Sequence, residues 1–158
     1  MINKYLKYFR IVKIDIQIYC MTVDTFVQFK EIDYHIQSEQ VSKNVKRYYI
    51  EDNQKMIHQS FLYDTLNILK LIGKKGPAIG NCITLPSHRG KSIYPFVINK
   101  IANEILLAQK YKEVFVLVNS SNTNSIKGIE KAGFKLHSQV KATRLLLHYF
   151  NLKKISFE

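Results

Sequence analysis

Residues 78–105 read AIGNCITLPSHRGKSIYPFVINKIANEI and predict a strand, a tight basic turn and a long helix. The turn, residues 89–94, comes directly before an apolar helical stripe. A helix that begins there leaves several backbone N–H groups free, which makes its N-terminus a natural anion site. Arg89 and Lys91 add positive charge at the same place, and Gly90 lets the backbone approach a ligand closely. The predicted ligand of this turn is a phosphate or diphosphate.

The helix after the turn is predicted to lie on a sheet, because apolar side chains recur at helical spacing. Pro95 is compatible with a helix only in its first turn, which places the helix start close to Lys91. Residues 113–118 follow with an unbroken apolar run, typical of a strand that is covered on both faces beside a parallel neighbour. Residues 78–118 therefore predict a right-handed βαβ crossover. The predicted apolar side of the helix is Ile93, Val97, Ile98, Ile101, Ile105 and Leu106, and the predicted polar side is Asn99, Lys100, Asn103 and Glu104.

The chain before this unit predicts antiparallel strands around one ambiguous segment. Period-two alternation predicts a half-buried strand over residues 10–19. Residues 22–42 favour a helix, although β-branched and aromatic residues within them also permit extended pieces. Two runs rich in Tyr, Ile and Phe, residues 45–51 and 55–63, flank turn-forming residues and predict a hairpin. Residues 64–72 then predict a short helix or loop, ended by a glycine- and proline-containing breaker cluster.

Length and composition indicate one soluble globular domain. The chain has 158 residues, of which 46% are hydrophobic and 23% charged, and its formal net charge is +12. An anionic partner is one explanation of this charge, and a solvated basic surface is the other. Cys20 and Cys82 lie in apolar, strand-like segments, which favours a reduced protein, and no zinc-ligand spacing is present. No secretory signal and no run of ~18 apolar residues is found, so we expect a cytoplasmic protein with no membrane partner.

A second motif follows the βαβ unit. Residues 119–136, NSSNTNSIKGIEKAGFKL, predict a polar loop, a short helix beginning near Asn122 or Thr123, and Gly133 just past its end. Strand-like residues 135–140 and 143–150 would complete the sheet.

The two motifs together resemble the GNAT superfamily of N-acetyltransferases. In the turn, Arg89 fits the first position of the family pattern, whereas Ser92 and Tyr94 replace its two glycines. The resemblance covers residues 45–150 and implies an α/β (α+β) fold, a mixed, mostly antiparallel sheet with a βαβ acyl-CoA-binding core and flanking helices. We expect residues 1–158 to form a single acetyltransferase domain of this type. In the second motif the matching residues are Asn122, Ser125, Glu130, Lys131, Gly133 and Phe134.

Acetyl-CoA is the co-substrate that the resemblance implies, and no metal is expected. The pantetheine arm would lie along the strand end, where a backbone N–H would also stabilise the oxyanion, and Asn122 and Ser125 would border the arm on the other side. We expect Ser92 to be tolerated if it has helical φ and ψ. The residues implied in holding the pyrophosphate are Arg89, Gly90, Lys91, Ser92, Ile93 and Tyr94, and those along the arm are Ile83, Thr84 and Leu85.

The candidate catalytic base is His58, on the predicted hairpin strand beside the central strand; a structural strand histidine is the equal alternative. Thr84 is a further catalytic candidate that would orient substrate or water. Ser60 and Asn81 are candidate substrate-binding residues, and Cys82 reads as a core residue rather than a nucleophile.

The tyrosine that protonates the leaving thiolate in many GNAT enzymes corresponds to Ile129. Tyr94, Ser125 or a water molecule would have to replace it, or the thiolate leaves unassisted.

The favoured function is transfer of acetyl from acetyl-CoA to a primary amine of a small molecule. The Tyr-Pro turn resembles that of GNAT-like proteins of sugar and polysaccharide pathways, which favours an amino sugar or a nucleotide-linked amino sugar as acceptor. The alternatives are acetylation of a protein or aminoacyl-tRNA, and a noncatalytic module that binds acyl-CoA or nucleic acid. The sequence leaves the oligomeric state open, a homodimer included.

Overall fold

The computed structural model describes residues 11–146 and 148–157, which form one eight-stranded sheet with helices on both faces. The strands are β1 (Val12–Thr22), β2 (Gln37–Ser42), β3 (Val45–Asp52), β4 (Lys55–Tyr63), β5 (Ala78–Thr84), β6 (Glu113–Asn119), β7 (Lys135–Leu145) and β8 (His148–Ser156). The helices are α1 (Ile93–Leu107) and α2 (Thr123–Lys131), with short 3-10 helices at Asn67–Ile72 and Pro86–His88.

The sheet runs in the order β2-β3-β4-β5-β6-β1-β7-β8. β5 and β6 are parallel and joined by α1, as predicted, whereas all other neighbours are antiparallel. The parallel pairing is short: Ala78 is paired with Phe115 and Ile79 with Val116, and the strands separate after these residues. The separation leaves one edge of β5 open from about Gly80 onward, beside the N-terminus of α1.

The core is built mainly between the sheet and α1. The apolar stripe of α1 is buried as predicted, with Val97, Ile98 and Ile101 fully enclosed. It packs on side chains from β1, β3, β4, β5 and β6. On the opposite face, the 3-10 helix Asn67–Ile72 covers β1, β6 and β7 through Leu69. Burial on both faces explains why β6 reads as an unbroken apolar run.

The helix predicted for residues 22–42 is wrong. Residues 22–25 form a turn, residues 26–36 have no regular structure, and β2 occupies the rest. Asn99 of α1 accounts for this difference. Its predicted place on the polar side of α1 is also wrong. It is fully buried; its side chain accepts from Phe29 N–H and donates to the carbonyl oxygens of Val27 and Ala132, each within 3.0 Å. These bonds satisfy backbone groups that a helix would have paired internally.

The β3–β4 hairpin is confirmed, while boundaries near the chain ends shift. β7 continues without interruption to Leu145, because no breaker residue stands at positions 141–142, and the chain turns at Leu146, which has φ of 55°. The predicted start of β1 at Arg10 lies outside the described residues. Within the described part of the chain, no helix is long and apolar enough to cross a membrane.

Candidate functional site: a cleft at the parting of β5 and β6

A cleft of about 650 Å³ lies where β5 leaves β6. Its walls are the end of β5, the first turn of α1 with the loop before it, and the exposed side of α2. This volume is in the range of small-molecule sites. The two motifs found in the sequence therefore meet in one cavity, although 33 residues separate Arg89 from Asn122 along the chain.

The floor of the cleft is the N-terminus of α1. Among the described residues, the backbone N–H groups of residues 90–94 donate to no protein acceptor, and Pro95 has none. Ser92 precedes the helix with φ of 61° and ψ of 16°, and its side chain makes no cap bond. The condition under which we expected Ser92 to be tolerated, helical φ and ψ, is not met: Ser92 adopts the left-handed conformation, which favours glycine. Gly90 also has positive φ, 79°, with open space around its Cα.

Positive charge surrounds these free N–H groups. Arg89, Lys127 and Lys131 line the cleft, whereas Lys91 is exposed outside its lining. The Arg89 Nε donates to the carbonyl oxygen of Thr84 at 3.1 Å, and the Lys131 Nζ donates to the Ser92 hydroxyl at 2.8 Å. Helix N–H groups and these cations line the same cleft, so an anionic ligand is favoured there.

The remaining predicted contact residues divide into two groups. Ile83, Thr84, Ile93, Tyr94, Asn122 and Ser125 all line the cleft. The Asn122 side chain also caps α2 by accepting from Ser125 N–H at 3.2 Å. Leu85 differs, because its side chain packs into the core and its N–H donates to the carbonyl of Ile57 at 2.9 Å.

His58 lies behind the cleft, between two hydroxyl groups. Its Nδ1 is 2.7 Å from Thr84 Oγ1 and its Nε2 is 2.9 Å from Ser60 Oγ. Only 1% of His58 is exposed, and burial lowers its pKa to about 4. The histidine is therefore neutral at pH 7, and Thr84, which lines the cleft, connects it to the cavity. Ser60 is fully buried and holds the imidazole rather than facing a ligand.

Cys82 and Tyr94 form a second pair at the cleft wall. Burial raises the pKa of the Cys82 thiol to about 12, which keeps it protonated, in keeping with a structural role. Burial also raises the pKa of the Tyr94 phenol, with a contribution from the neighbouring Cys82. Both groups line the cavity as proton-bearing side chains.

Gly128 and Tyr94 form a contact that sequence reasoning missed. A Cβ at Gly128 would lie 2.6 Å from Tyr94 Cδ1, so the glycine makes room for the phenol ring. The available signal was the coincidence of Tyr94 in place of a pattern glycine with a glycine one position before Ile129. Ile129 itself is fully buried and packs in the core.

Asn81 does not face the cleft. It is exposed, has φ of 49°, and donates through Nδ2 to the Tyr63 hydroxyl at 2.5 Å. It sits in a bulge, because β4 pairs Gln59 with Ile83 but Phe61 with Gly80. Within residues 11–146 and 148–157, no three His, Cys, Asp or Glu side chains cluster in an arrangement that could hold a metal.

Comparisons with known proteins place the fold. No protein-family model and no curated protein sequence matches the chain. A protein of Novosphingobium aromaticivorans DSM 12444 assigned to the GNAT family of acetyltransferases superimposes with a TM-score of 0.57 at 13% identity, over 81% of this chain and 62% of that one. A GNAT-family acetyltransferase from Colwellia psychrerythraea gives a TM-score of 0.55 at 14% identity, over 99% of this chain and 62% of its own length. The chain thus spans about 62% of the length of each, and its fold is that of the GNAT acetyltransferases.

Proposed function

We propose that this protein transfers an acetyl group from acetyl-CoA to a primary amine of a small molecule. The observation that carries the proposal is the free N-terminus of α1, whose N–H groups open into the cleft beside Arg89. A diphosphate fits this donor set, since it has several acceptor oxygens and negative charge in one place. Coenzyme A bound in this way would direct its thioester along the open edge of β5.

The edge of β5 offers a donor for the oxyanion. Because Leu85 N–H bonds to Ile57 on β4, antiparallel alternation makes Ile83 and Gln59 a hydrogen-bonded pair and turns the backbone of Thr84 away from β4. The Thr84 carbonyl already points that way, since it accepts from Arg89 Nε. The Thr84 N–H is therefore our candidate for stabilising negative charge on the thioester oxygen.

The reaction needs a neutral amine and two proton transfers. The acceptor ammonium first gives up one proton to the solvent; the neutral nitrogen then attacks the thioester carbonyl and loses a proton, and the C–S bond breaks to release a thiolate that gains one. His58 is enclosed, so its role as base would run through the Thr84 hydroxyl, which lies 2.7 Å from Nδ1. Tyr94 is our candidate for protonating the thiolate because its phenol lines the cleft, although burial raises its pKa and makes it a weaker acid than an ordinary tyrosine.

The acceptor that we favour is an amino sugar or a nucleotide-linked amino sugar. We place the protein in the cytoplasm, where acetyl-CoA is made and used.

Thermal unfolding with and without acetyl-CoA tests the proposed cleft. A ligand at about 100 times its dissociation constant adds roughly 2.7 kcal/mol, a shift of several degrees. We expect Arg89→Ala to reduce this shift and the exposed Lys153→Ala, on β8, to preserve it. The absence of a shift with the unaltered protein at millimolar acetyl-CoA would overturn the proposal.

A second candidate function is a noncatalytic acyl-CoA-binding module. The enclosure of His58 and the burial of Ile129 favour it, because neither residue reaches the cavity directly. Release of free thiol from acetyl-CoA in the presence of a panel of amines distinguishes the two functions. Binding without thiol release for any amine would select the noncatalytic module.

A further inference from the structure

The outward face of β3, β4 and β5, opposite α1, carries a group of aromatic side chains. Tyr48 and Ile50 of β3 are buried under α1, so Tyr49 between them projects from the other face. The register places Gln59, Phe61 and Tyr63 of β4 on that same face. We call Tyr49, Phe61 and Tyr63 the aromatic face.

The aromatic face remains open in the described structure. Tyr49, Phe61 and Tyr63 are each partly exposed and belong to none of the buried clusters formed by residues 11–146 and 148–157. The 3-10 helix Asn67–Ile72, which covers this side of the sheet, packs on β1, β6, β7 and Ala78 at the start of β5, and so stops beside the aromatic face. Partly exposed aromatic rings on a sheet present apolar area that a ligand can cover.

The aromatic face is continuous with the rim of the cleft. Phe61 is paired with Gly80 of β5, at the level where β5 has just left β6. Two residues earlier along β4, about 7 Å away, Gln59 is paired with Ile83, which follows Gly80 by three residues on β5. Ile83 lines the cleft and is 55% exposed. Since β6 no longer flanks β5 there, a group lying on the aromatic face can reach around the open edge of β5 to a thioester on the other side.

Neutral and acidic groups border the aromatic face. Tyr49 donates through its hydroxyl to Gln37 Oε1 at 3.2 Å, and Gln37 donates to Glu51 Oε2 at 3.4 Å. The guanidinium of Arg47 lies 5.1 Å from the Tyr49 ring and pairs with Glu39 at 2.7 Å. Arg47 is thus neutralised by Glu39, and Glu51 adds a second carboxylate, in a chain whose formal net charge is +12.

This local charge decides the chemical class of the ligand. A nucleic acid strand needs cations along its phosphates, and on this face the arginine is already paired with a carboxylate. A protonated amine on a neutral, hydroxyl-bearing ring suits the face better. Its C–H surface covers aromatic rings, its hydroxyls bond amide and tyrosine groups, and the carboxylates attract the ammonium.

We propose that the aromatic face holds the ring of the acetyl acceptor, an aminohexose, while its amine reaches the thioester around the open edge of β5. Delivery of the amine to the thioester rests on the proposed acetyl transfer, whereas binding of the ring can be tested without acetyl-CoA. Phe61 is the central contact, because it lies between Tyr49 and Tyr63 on neighbouring strand positions and its ring stacks on Tyr63 at a centroid distance of 6.5 Å.

Fluorescence tests the binding step alone. Phe61→Trp keeps a ring at this position and gives the chain its only tryptophan. We expect titration with glucosamine to change the tryptophan emission in a saturable way, and titration with Nα-acetyl-lysine amide, an amine without a ring, to leave it unchanged. Equal responses to both amines, or a response to a single-stranded oligonucleotide in place of glucosamine, would overturn the proposal.

Steady-state kinetics test the contribution of the ring contact to acetyl transfer. We expect Phe61→Ala to raise the KM for glucosamine about tenfold, with kcat and the thermal shift by acetyl-CoA unchanged. Phe61→Leu, which keeps apolar bulk, should recover only part of the loss. Phe150→Ala is the matched control, since Phe150 is an exposed phenylalanine on β8, far along the same sheet. An unchanged KM for glucosamine in Phe61→Ala would contradict the proposal. If acetyl-CoA does not raise the melting temperature of the unaltered protein, the acetyl transfer itself is contradicted.

Discussion

Strands β3, β4 and β5 present different side chains on their two faces. Toward α1, the strands bury His58 and Ser60 with aliphatic side chains, and every polar atom of the histidine is bonded. On the other face they carry partly exposed rings, amides and carboxylates. Alternation along each strand separates the two sets by a single residue.

This difference suggests that the two faces of one sheet serve different roles in the proposed reaction. The α1 side is enclosed, so its polar groups are held in fixed positions, which suits proton transfer between positioned groups. The aromatic face is open and its contacts are shallow, which suits recognition of a ligand that must arrive and leave. Substitutions on the two faces should therefore have different effects. Those on the α1 side should change stability and proton transfer, and those on the aromatic face should change the KM for the acceptor.

The largest expected effect contrasts two apolar residues on neighbouring strands. Ile50 is fully buried under α1, so Ile50→Ala should lower the free energy of unfolding by about 2–5 kcal/mol. Phe61→Ala on the aromatic face should cost about 1 kcal/mol or less, because its ring is partly exposed and stacks on Tyr63, which is partly exposed as well. Urea denaturation measures both. Similar losses for the two variants would mean that the aromatic face is part of the core.

The next effect is a pH dependence of stability that originates from His58. Burial lowers its pKa from 6.5 to about 4, so the unfolded chain binds a proton that the folded chain does not. Stability from this group is therefore complete above pH 6.5 and is lost as the pH falls from 6.5 toward 4, by about 3 kcal/mol at most.

Melting temperatures measured between pH 4 and 7.5 check this dependence. His58→Gln removes the titrating group, so its melting temperature should fall less steeply over that range. His137→Gln is the comparison, because the pKa of His137 is also lowered by burial but its ring is partly exposed. A slope in His58→Gln equal to that of the unaltered protein would show that His58 is not the source.

A third effect concerns Thr84, through which the α1 side reaches the cavity. Thr84→Val keeps the shape and removes the hydroxyl that bonds His58 Nδ1. We expect kcat for acetyl transfer to fall about 100-fold, the lower end of the range for loss of a general-base path, while the acetyl-CoA thermal shift stays. Thr143→Val, on β7 away from the cleft, serves as control. A kcat within twofold of the unaltered protein would exclude the Thr84–His58 path.

Local signals made the βαβ core predictable from the sequence. Pro95 can occupy only a first helical turn, and Gly133 marks a helix end with φ of 94°, so α1 and α2 were located within two or three residues. The turn at residues 89–94 could be recognised as a candidate anion site for the same reason, since the proposed chemistry depends on consecutive residues.

Features that depend on distant contacts were not predictable. Asn99 holds residues 27 and 29 about 70 positions away, and no local pattern reveals that a buried amide replaces a helix there. The pairing of His58 with Thr84 needs the register across β4 and β5, which a bulge shifts. The fit of Tyr94 on Gly128 likewise joins two helices, so it appears only in three dimensions.

The smallest expected effect comes from Ser92, which directly precedes α1 and lines the cleft. Its φ of 61° is unfavourable for a residue with a Cβ, so Ser92→Gly should raise the free energy of unfolding by up to about 1 kcal/mol. The exposed bond from Lys131 to its hydroxyl is lost, which reduces the gain slightly. At about 2–4 °C per kcal/mol for a chain of this size, differential scanning calorimetry resolves the change. Asn81→Gly removes the same kind of strain on the other face but also breaks the bond to Tyr63, so its gain should be smaller. A larger gain at Asn81 than at Ser92 would contradict the view that polar contacts on the open face hold its strands in place.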